Sequence, residues 1–414
     1  MNKTKLTSWG NNREKEVVFT DIPEHGTINV GNQNSYGDCF FPKNANAFKN
    51  RELQDINYKF NSSMTMDDLI TKNRIGLYGV PGKRNVTLGG AIASDTHGKD
   101  NIWGGSFARN IKDIYIQLPN NEKLVVSRDK DFDIFQSTIG GYGLTGSILG
   151  CSFIDDLPKY SNFYNKSIIT GNSLEELLSK IKFQNKVFTV CWIDLLSNKK
   201  DWVIENFEEN LNINKPIPEV NDIELKISLP FIGKNIMGSM SLVNKLFFYR
   251  NKLIQKNKVD IQKVLYPLGF LTDTRNIASN RKIVQVQFSI PNSEESHLDE
   301  LINYLIFRQN PVLCSIKKLS NSNNYNNLSF HQNGWTVAVD FPFKTFNNTS
   351  IRRFYKKLIQ HQGKIYLAKD STLTSHELKE MYPNYKDCVK IFKKIDPKNI
   401  YQSELSNRLE LKTW

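Results

Sequence analysis

With 414 residues, 39% of them hydrophobic and 23% charged, the chain is long enough for two cored domains and too apolar to be disordered or fibrous. Its 55 Lys and Arg against 42 Asp and Glu leave a net charge of +13, which favours anionic company: phosphorylated substrates, nucleic acid or an acidic membrane surface. The five scattered cysteines have no CxxC spacing, which excludes a zinc framework or a disulfide scaffold and reads as reduced thiols of a cytoplasmic protein.

The opening "MNKTKLTSWGNNREKE" is polar and unlike a signal peptide, and no run reaches the ~20 apolar residues of a membrane span. The chain therefore reads as cytoplasmic, at most peripheral at a membrane. Up to about residue 155, glycines and short apolar runs such as "IKDIYIQL" and "STIGGYGLTGSILGCSFI" predict strands with tight turns. Within this part lies "PGKRNVTLGGAIASDTHGK" (81–99), rich in glycine around the single His97. Bare backbone of this kind lets N–H groups approach a ligand, most often a diphosphate. It has neither a Walker ending nor a GxGxxG spacing, so any phosphate site belongs to another fold.

Farther along, "NSLEELLSKI" carries a capping box from Ser173 to Glu176, with Leu174, Leu177, Leu178 and Ile181 at helical spacing. "HLDELINYLIF" and "TSIRRFYKKLIQHQG" predict further amphipathic helices, the last closed by Gly363. In "VQVQFSI", Val284, Val286, Phe288 and Ile290 share one face and Gln285, Gln287 and Ser289 the other. "WTVAVDF" sets Thr336, Ala338 and Asp340 opposite Trp335, Val337 and Val339. Two such strands predict an antiparallel sheet, its polar front either solvated or suited to a polyhydroxylated ligand. Residues 245–263 interleave Lys245, Arg250, Lys252, Lys256, Lys258 and Lys263 with Leu246, Phe247, Phe248, Tyr249, Leu253 and Ile254. This is either an ordinary amphipathic element or a peripheral contact for anionic lipid. No nucleic-acid-binding module accompanies the basic charge, so no nucleic-acid partner is expected.

Taken in order, "GNQNSYGD" (31–38), the 81–99 stretch, "GSF" (105–107), "GGYGLTG" (140–146), "YPLGF", "VQVQFSIP", "GWTVAVDFP", "GKIYLAKDS" and the ending "KKIDPKNIYQSELSNRLEL" cover nearly the whole chain. The set resembles flavin-dependent sugar oxidases of the vanillyl-alcohol oxidase superfamily. The resemblance implies an α+β, two-domain flavoprotein. Residues 1–160, with 364–414 returning to them, form an FAD-binding domain of the PCMH type. Residues 161–363 form an inserted substrate domain, an antiparallel sheet flanked by helices.

Carried over residue by residue, the resemblance places FAD contacts on Gly31, Asn32, Gln33, Asn34, Ser35, Tyr36, Gly37 and Asp38. It adds Gly82, Thr87, Leu88, Gly89, Gly90, Ser94, Asp95, Thr96, His97, Ile148 and Tyr366. It implies catalytic roles for Lys369, His97 and Tyr36, and substrate contacts at Gln287, Lys317, Thr336 and Gln285. An ammonium at Lys369 would stabilise negative charge created by hydride transfer. Tyr366 and Lys369 are three apart and cannot share a face of a regular strand, so one of them must sit where the strand ends or bends.

The chain departs from the family pattern in its first loop, where Gln33 replaces a glycine and Asn34 an arginine. A side chain at 33 is expected to crowd a diphosphate, and the missing arginine removes a charge-assisted contact. The segment between Trp9 and Gly31 is too short for the strand, helix and strand expected there, and 39–69 is also short. No histidine stands in the first loop, so FAD would be non-covalent. Ala338 stands where some members carry a cysteine, and Thr336 where the family has asparagine.

The expected activity is oxidation of a secondary hydroxyl of a phosphorylated or lipid-linked sugar to a ketone. A separate short-chain reductase would then complete an epimerisation, a step suited to cell-wall or polysaccharide synthesis. The alternatives are an alditol- or aldonolactone-type oxidase on a free sugar, and a flavin-less sugar-binding or scaffold protein.

Overall fold

The computed structural model describes residues 3–20, 23–48, 59–182, 186–210, 236–253, 256–266, 282–320 and 327–414. Strands β1 (Lys3–Thr7) and β2 (Glu14–Thr20) form an antiparallel hairpin, and β3 (Asn46–Phe48) adds parallel to β2. Among the described residues no helix intervenes between Trp9 and Gly31, in keeping with the short spacing there.

A second sheet, in the order β4-β7-β5-β6, is built from β4 (Phe60–Asn61), β5 (Ile111–Gln117), β6 (Lys123–Ser127) and β7 (Ser147–Phe153). Around it lie α1 (Leu88–Ala93), α2 (Asn101–Gly104) and α3 (Phe132–Thr138). Then follow β8 (Phe163–Gly171), α4 (Leu174–Lys182), β9 (Phe188–Ile193), β10 (Trp202–Glu209), α5 (Ile236–Leu253), β11 (Lys256–Asp260) and α6 (Ile261–Leu265). The chain continues through β12 (Ile283–Pro291), α7 (Leu298–Ile306), β13 (Leu313–Leu319), β14 (Gly334–Pro342), α8 (Asn348–Gln360) and β15 (Lys364–Ile365). It ends with α9 (Ser375–Met381), α10 (Tyr385–Ile395) and α11 (Glu404–Arg408). The architecture is mixed α+β.

The third sheet has eight antiparallel strands in the order β11-β8-β10-β9-β13-β14-β12-β15. Its back face follows directly from the alternation in β12 and β14. Val284, Val286, Phe288 and Ile290 are buried in one cluster with Leu301 and Leu305 of α7 and with Phe354 and Leu358 of α8. Each such side chain contributes about 1.5–3 kcal/mol relative to exposure. The rings of Phe288 and Phe354 meet edge to face at 5.2 Å.

The front face is not solvated. Gln287, Ser289, Thr336 and Asp340 are all buried: Gln287 lies against His97 of the glycine-rich part, and Ser289 against Phe330 and Gln332. Register places Ala338 between Gln287 and Ser315, and Thr336 between Ser289 and Lys317.

Helix α8 ends differently from the glycine-closed end that its sequence predicts. Gln362, at φ 53°, takes the left-handed position, and Gly363 donates its N–H to Leu358 O at 2.9 Å. Gly363 is needed for space, since a Cβ there would stand 2.1 Å from Leu358 Cδ1. The tail after β15 pairs with the amino-terminal part: Thr27 bridges Tyr401, and Glu404 N–H reaches Phe41 O at 2.8 Å.

Candidate active site

The loop 31–38 is positioned from three sides. Gly31 approaches the cap of α1 so closely that a Cβ would lie 2.8 Å from Thr87 Oγ1. Asn32 and Asn34 both donate Nδ2–H to Asn85 O, at 2.9 and 3.1 Å. Gly37 packs on the tail, where a Cβ would stand 2.0 Å from Asp370 O.

Val30 N–H is taken by Phe48 O and Gly37 N–H by Ala368 O, but among the described residues no acceptor takes the N–H groups of 31–36. The result is a run of six open backbone donors with one left-handed residue, Gln33 at φ 56°. This is the composition of an anion-binding concavity. The side chain of Gln33 is partly withdrawn, because its Oε1 accepts the Thr7 N–H at 2.9 Å. It therefore blocks the loop less than its position in sequence implies.

Residues 31–36 border a cleft of about 1770 Å³ that runs between the glycine-rich segments and the front of the eight-stranded sheet. Of the residues singled out in sequence, Gly31, Asn32, Gln33, Asn34, Ser35, Tyr36, Gly82, Thr87, Gly89, Gly90, Ser94, Thr96, His97, Ile148, Gln285, Lys317, Tyr366 and Lys369 line it. Others stand behind the wall.

Asp38 is fully buried in a two-pronged pair with Arg408, both contacts at 2.9 Å, and Arg408 also reaches Asp370. Asp95 accepts from Ala108 N–H and Ser329 Oγ. Leu88 is buried in the core. The amino end of α1 is likewise closed by protein acceptors: Leu88 N–H goes to Met64 O, Gly89 N–H to Ser62 O and Gly90 N–H to Thr87 Oγ1. The open donors belong to the loop, not to the helix.

His97 sits at the centre of the wall, its ring against Phe330 and Tyr366 at 5.8 and 5.6 Å. Gln287 donates Nε2–H to His97 Nε2 and to Thr336 Oγ1, both at 2.9 Å, and Thr336 donates to Phe288 O. Gln287 and Thr336 thus act behind the imidazole, with no surface on the cleft of their own. An amide N–H can only donate, so His97 Nε2 accepts and the ring proton stands on Nδ1. That Nδ1 and Gln287 Oε1 are buried without a partner. Burial, helped by the charges of Lys317 and Lys369, holds His97 well below the ordinary imidazole range, so the ring is neutral.

Around it stand three lysines. Burial pulls Lys369 and Lys317 down to about 8 and Lys99 to about 7. Lys317 Nζ donates to Gly98 O at 3.1 Å, and Lys99 Nζ to Leu265 O. Lys369 Nζ lies 5.6 Å from the Tyr36 ring centroid. Strand β15 ends at Ile365, just before Tyr366, and a turn closed by Lys369 N–H to Tyr366 O at 3.0 Å follows. That turn brings the ammonium and the Tyr366 ring to the same wall. Asp340 accepts from Gln285 Nε2 at 2.6 Å, and burial raises its carboxyl to about 6.

Sequence reasoning missed Lys99, Asp340 and Arg408. Lys99 closes the quoted glycine stretch, and Asp340 lies on the polar face of β14. All five cysteines are buried and none is in a disulfide. Among the described residues no helix is long and apolar enough to cross a membrane.

No family model matches the chain. It is 27% identical over 359 residues to the decaprenylphosphoryl-beta-D-ribose oxidase of Mycolicibacterium smegmatis, covering 80% of this chain and 75% of that protein. It is 21% identical over 360 residues to an uncharacterized protein in the mprA 5' region of Streptomyces coelicolor, covering 80% and 95%. The chain is thus similar along most of its length to a decaprenylphosphoryl-beta-D-ribose oxidase, and that distant relationship supports an oxidoreductase.

Proposed function

We propose that the protein is an FAD-dependent oxidoreductase that converts a secondary hydroxyl of a lipid-linked or phosphorylated sugar to a ketone. The carrying observation is the run of open donors at 31–36 on a cleft whose wall bears neutral His97 beside Lys317 and Lys369. Consecutive N–H groups suit a diphosphate, and the cleft volume suits a dinucleotide with a substrate beside it. On this reading the fold is of the vanillyl-alcohol oxidase type. Residues 1–160 with 364–414 hold FAD without a covalent tether, and 161–363 hold the sugar.

Bound FAD would supply the hydride acceptor. Residues 31–36 would hold its diphosphate, with Tyr36, His97 and Tyr366 near the ring. Gln287 fixes the His97 tautomer and so holds the neutral ring in place on the cleft wall. Lys369, an ammonium below about pH 8, offsets negative charge developing beside it as the carbinol carbon is oxidised. Lys317, an ammonium below about pH 8, would provide a cation for a phosphate group. The name of the mycobacterial relative supports the same substrate class, and a separate short-chain reductase returning the ketone to an alcohol would complete an epimerisation. Purification followed by heat denaturation tests the cofactor. The supernatant should contain free FAD, and a colourless protein that also fails to bind added FAD would refute the reading.

A further inference from the structure

Helix α5 is built the wrong way round for a helix of a soluble core. Leu242, Leu246, Tyr249 and Leu253, spaced four, three and four apart, form one stripe, and they are 58, 61, 59 and 85% exposed. The opposite side carries Asn244 and Asn251, both buried, with Asn244 Nδ2 donating to Asp194 Oδ1 at 2.9 Å and Asn251 Nδ2 to Phe247 O at 2.8 Å. Helix α8 shows the ordinary arrangement, with Ile351, Phe354 and Leu358 buried.

Asn244 ties α5 to Asp194, Phe247 packs on Trp192, and the apolar stripe faces out. Lys245 and Lys252 flank the stripe on one side and Arg250 on the other, all three exposed. Of the sequence-level apolar set, Ile254 lies outside the described residues. The helix also lines the cleft through Val243, Asn244, Phe247, Arg250 and Asn251, and the Phe247 ring meets Trp192 at 5.0 Å.

We infer that α5 is a membrane-facing lid, lying flat on an anionic bilayer with its stripe in the interface and its cations on the headgroups. Charge complementarity selects the occupant: an apolar stripe bordered by cations on both sides matches an acidic lipid surface. The helix lies on the bilayer and does not cross it, since no described helix is long and apolar enough to span. The cleft then opens beside the lipid phase, where a prenyl tail could remain embedded while the sugar phosphate enters. The surface itself goes beyond the oxidoreductase reading and stands without it, because lipid binding needs neither flavin nor substrate.

The test is co-sedimentation of the full chain with vesicles of phosphatidylcholine alone or with phosphatidylglycerol, at low and high salt. Binding is expected to the anionic vesicles and to fall with salt. Each of Lys245→Gln, Arg250→Gln and Lys252→Gln should weaken it roughly fivefold. Leu246→Asp with Leu253→Asp should abolish it with the circular dichroism and melting temperature unchanged, these side chains being exposed. Equal binding to both vesicle types, or none to either, would overturn the inference. So would self-association of the chain that the double Asp variant abolishes without any lipid binding, which would assign the stripe to a second copy.

Discussion

Replacing Arg408 with methionine should unlatch the loop from the tail. The guanidinium pairs with Asp38, which is fully buried, and with Asp370, and it also donates to Leu373 O. Removing it leaves buried Asp370 without its cation and Asp38 with only Arg13, 3.7 Å away, a change that costs about 3–5 kcal/mol. Unfolding entropy near 2.1 cal/mol/K per residue gives about 0.9 kcal/mol per kelvin for 414 residues, so the melting temperature should fall by about 3–6 °C. Differential scanning calorimetry at neutral pH reads this directly. Adding Asp38→Asn and Asp370→Asn to the Arg408 variant removes the orphaned charges and should recover a large part of the loss. An unchanged melting temperature in the single variant, or a triple variant no better than the single, would refute the latch.

Lys369→Ala should retain flavin yet slow substrate-dependent flavin reduction about 100-fold, on the scale of a lost oxyanion donor; near-normal reduction removes Lys369 from the chemistry. Because burial brings this ammonium to about 8, it is charged below that pH and neutral above it, so the wild-type reduction rate should fall as pH rises past about 8. Lys369→Arg should extend the plateau upward, and an identical profile in both proteins would contradict the assignment. Restoring the family residues with Gln33→Gly and Asn34→Arg should tighten FAD in equilibrium dialysis, and unchanged retention would mean that the loop substitutions do not limit affinity. Gly37→Ala places a carbon 2.0 Å from Asp370 O, so it should lower FAD occupancy or melting temperature, and a wild-type value for both would deny the close packing.

The alternation in β12 and β14 was enough to predict both strands and their apolar backs, because a period of two needs no tertiary information. It could not say what covers the polar front. That depends on the first 100 residues folding over the sheet, a contact between segments some 190 residues apart in the case of His97 and Gln287. Bare backbone points to 81–99, and the loop 31–38 is placed only by the resemblance; Asp38 within it serves Arg408, 370 positions away. The end of α8 shows the local limit: glycine marks the place, but Gln362 takes the left-handed turn while Gly363 gives way to Leu358. The charge pattern of 245–263 suggested an amphipathic element, and only the packing of α5 reveals which side is turned outward.

The most direct measurement of the central claim is anaerobic titration of the purified, FAD-loaded protein with a prenylphosphoryl pentose, following the visible absorbance of the flavin. The account predicts bleaching, with one ketone-bearing product formed per flavin reduced. A flavin that stays oxidised with this substrate and with the corresponding sugar phosphates, yet bleaches with dithionite, would contradict it.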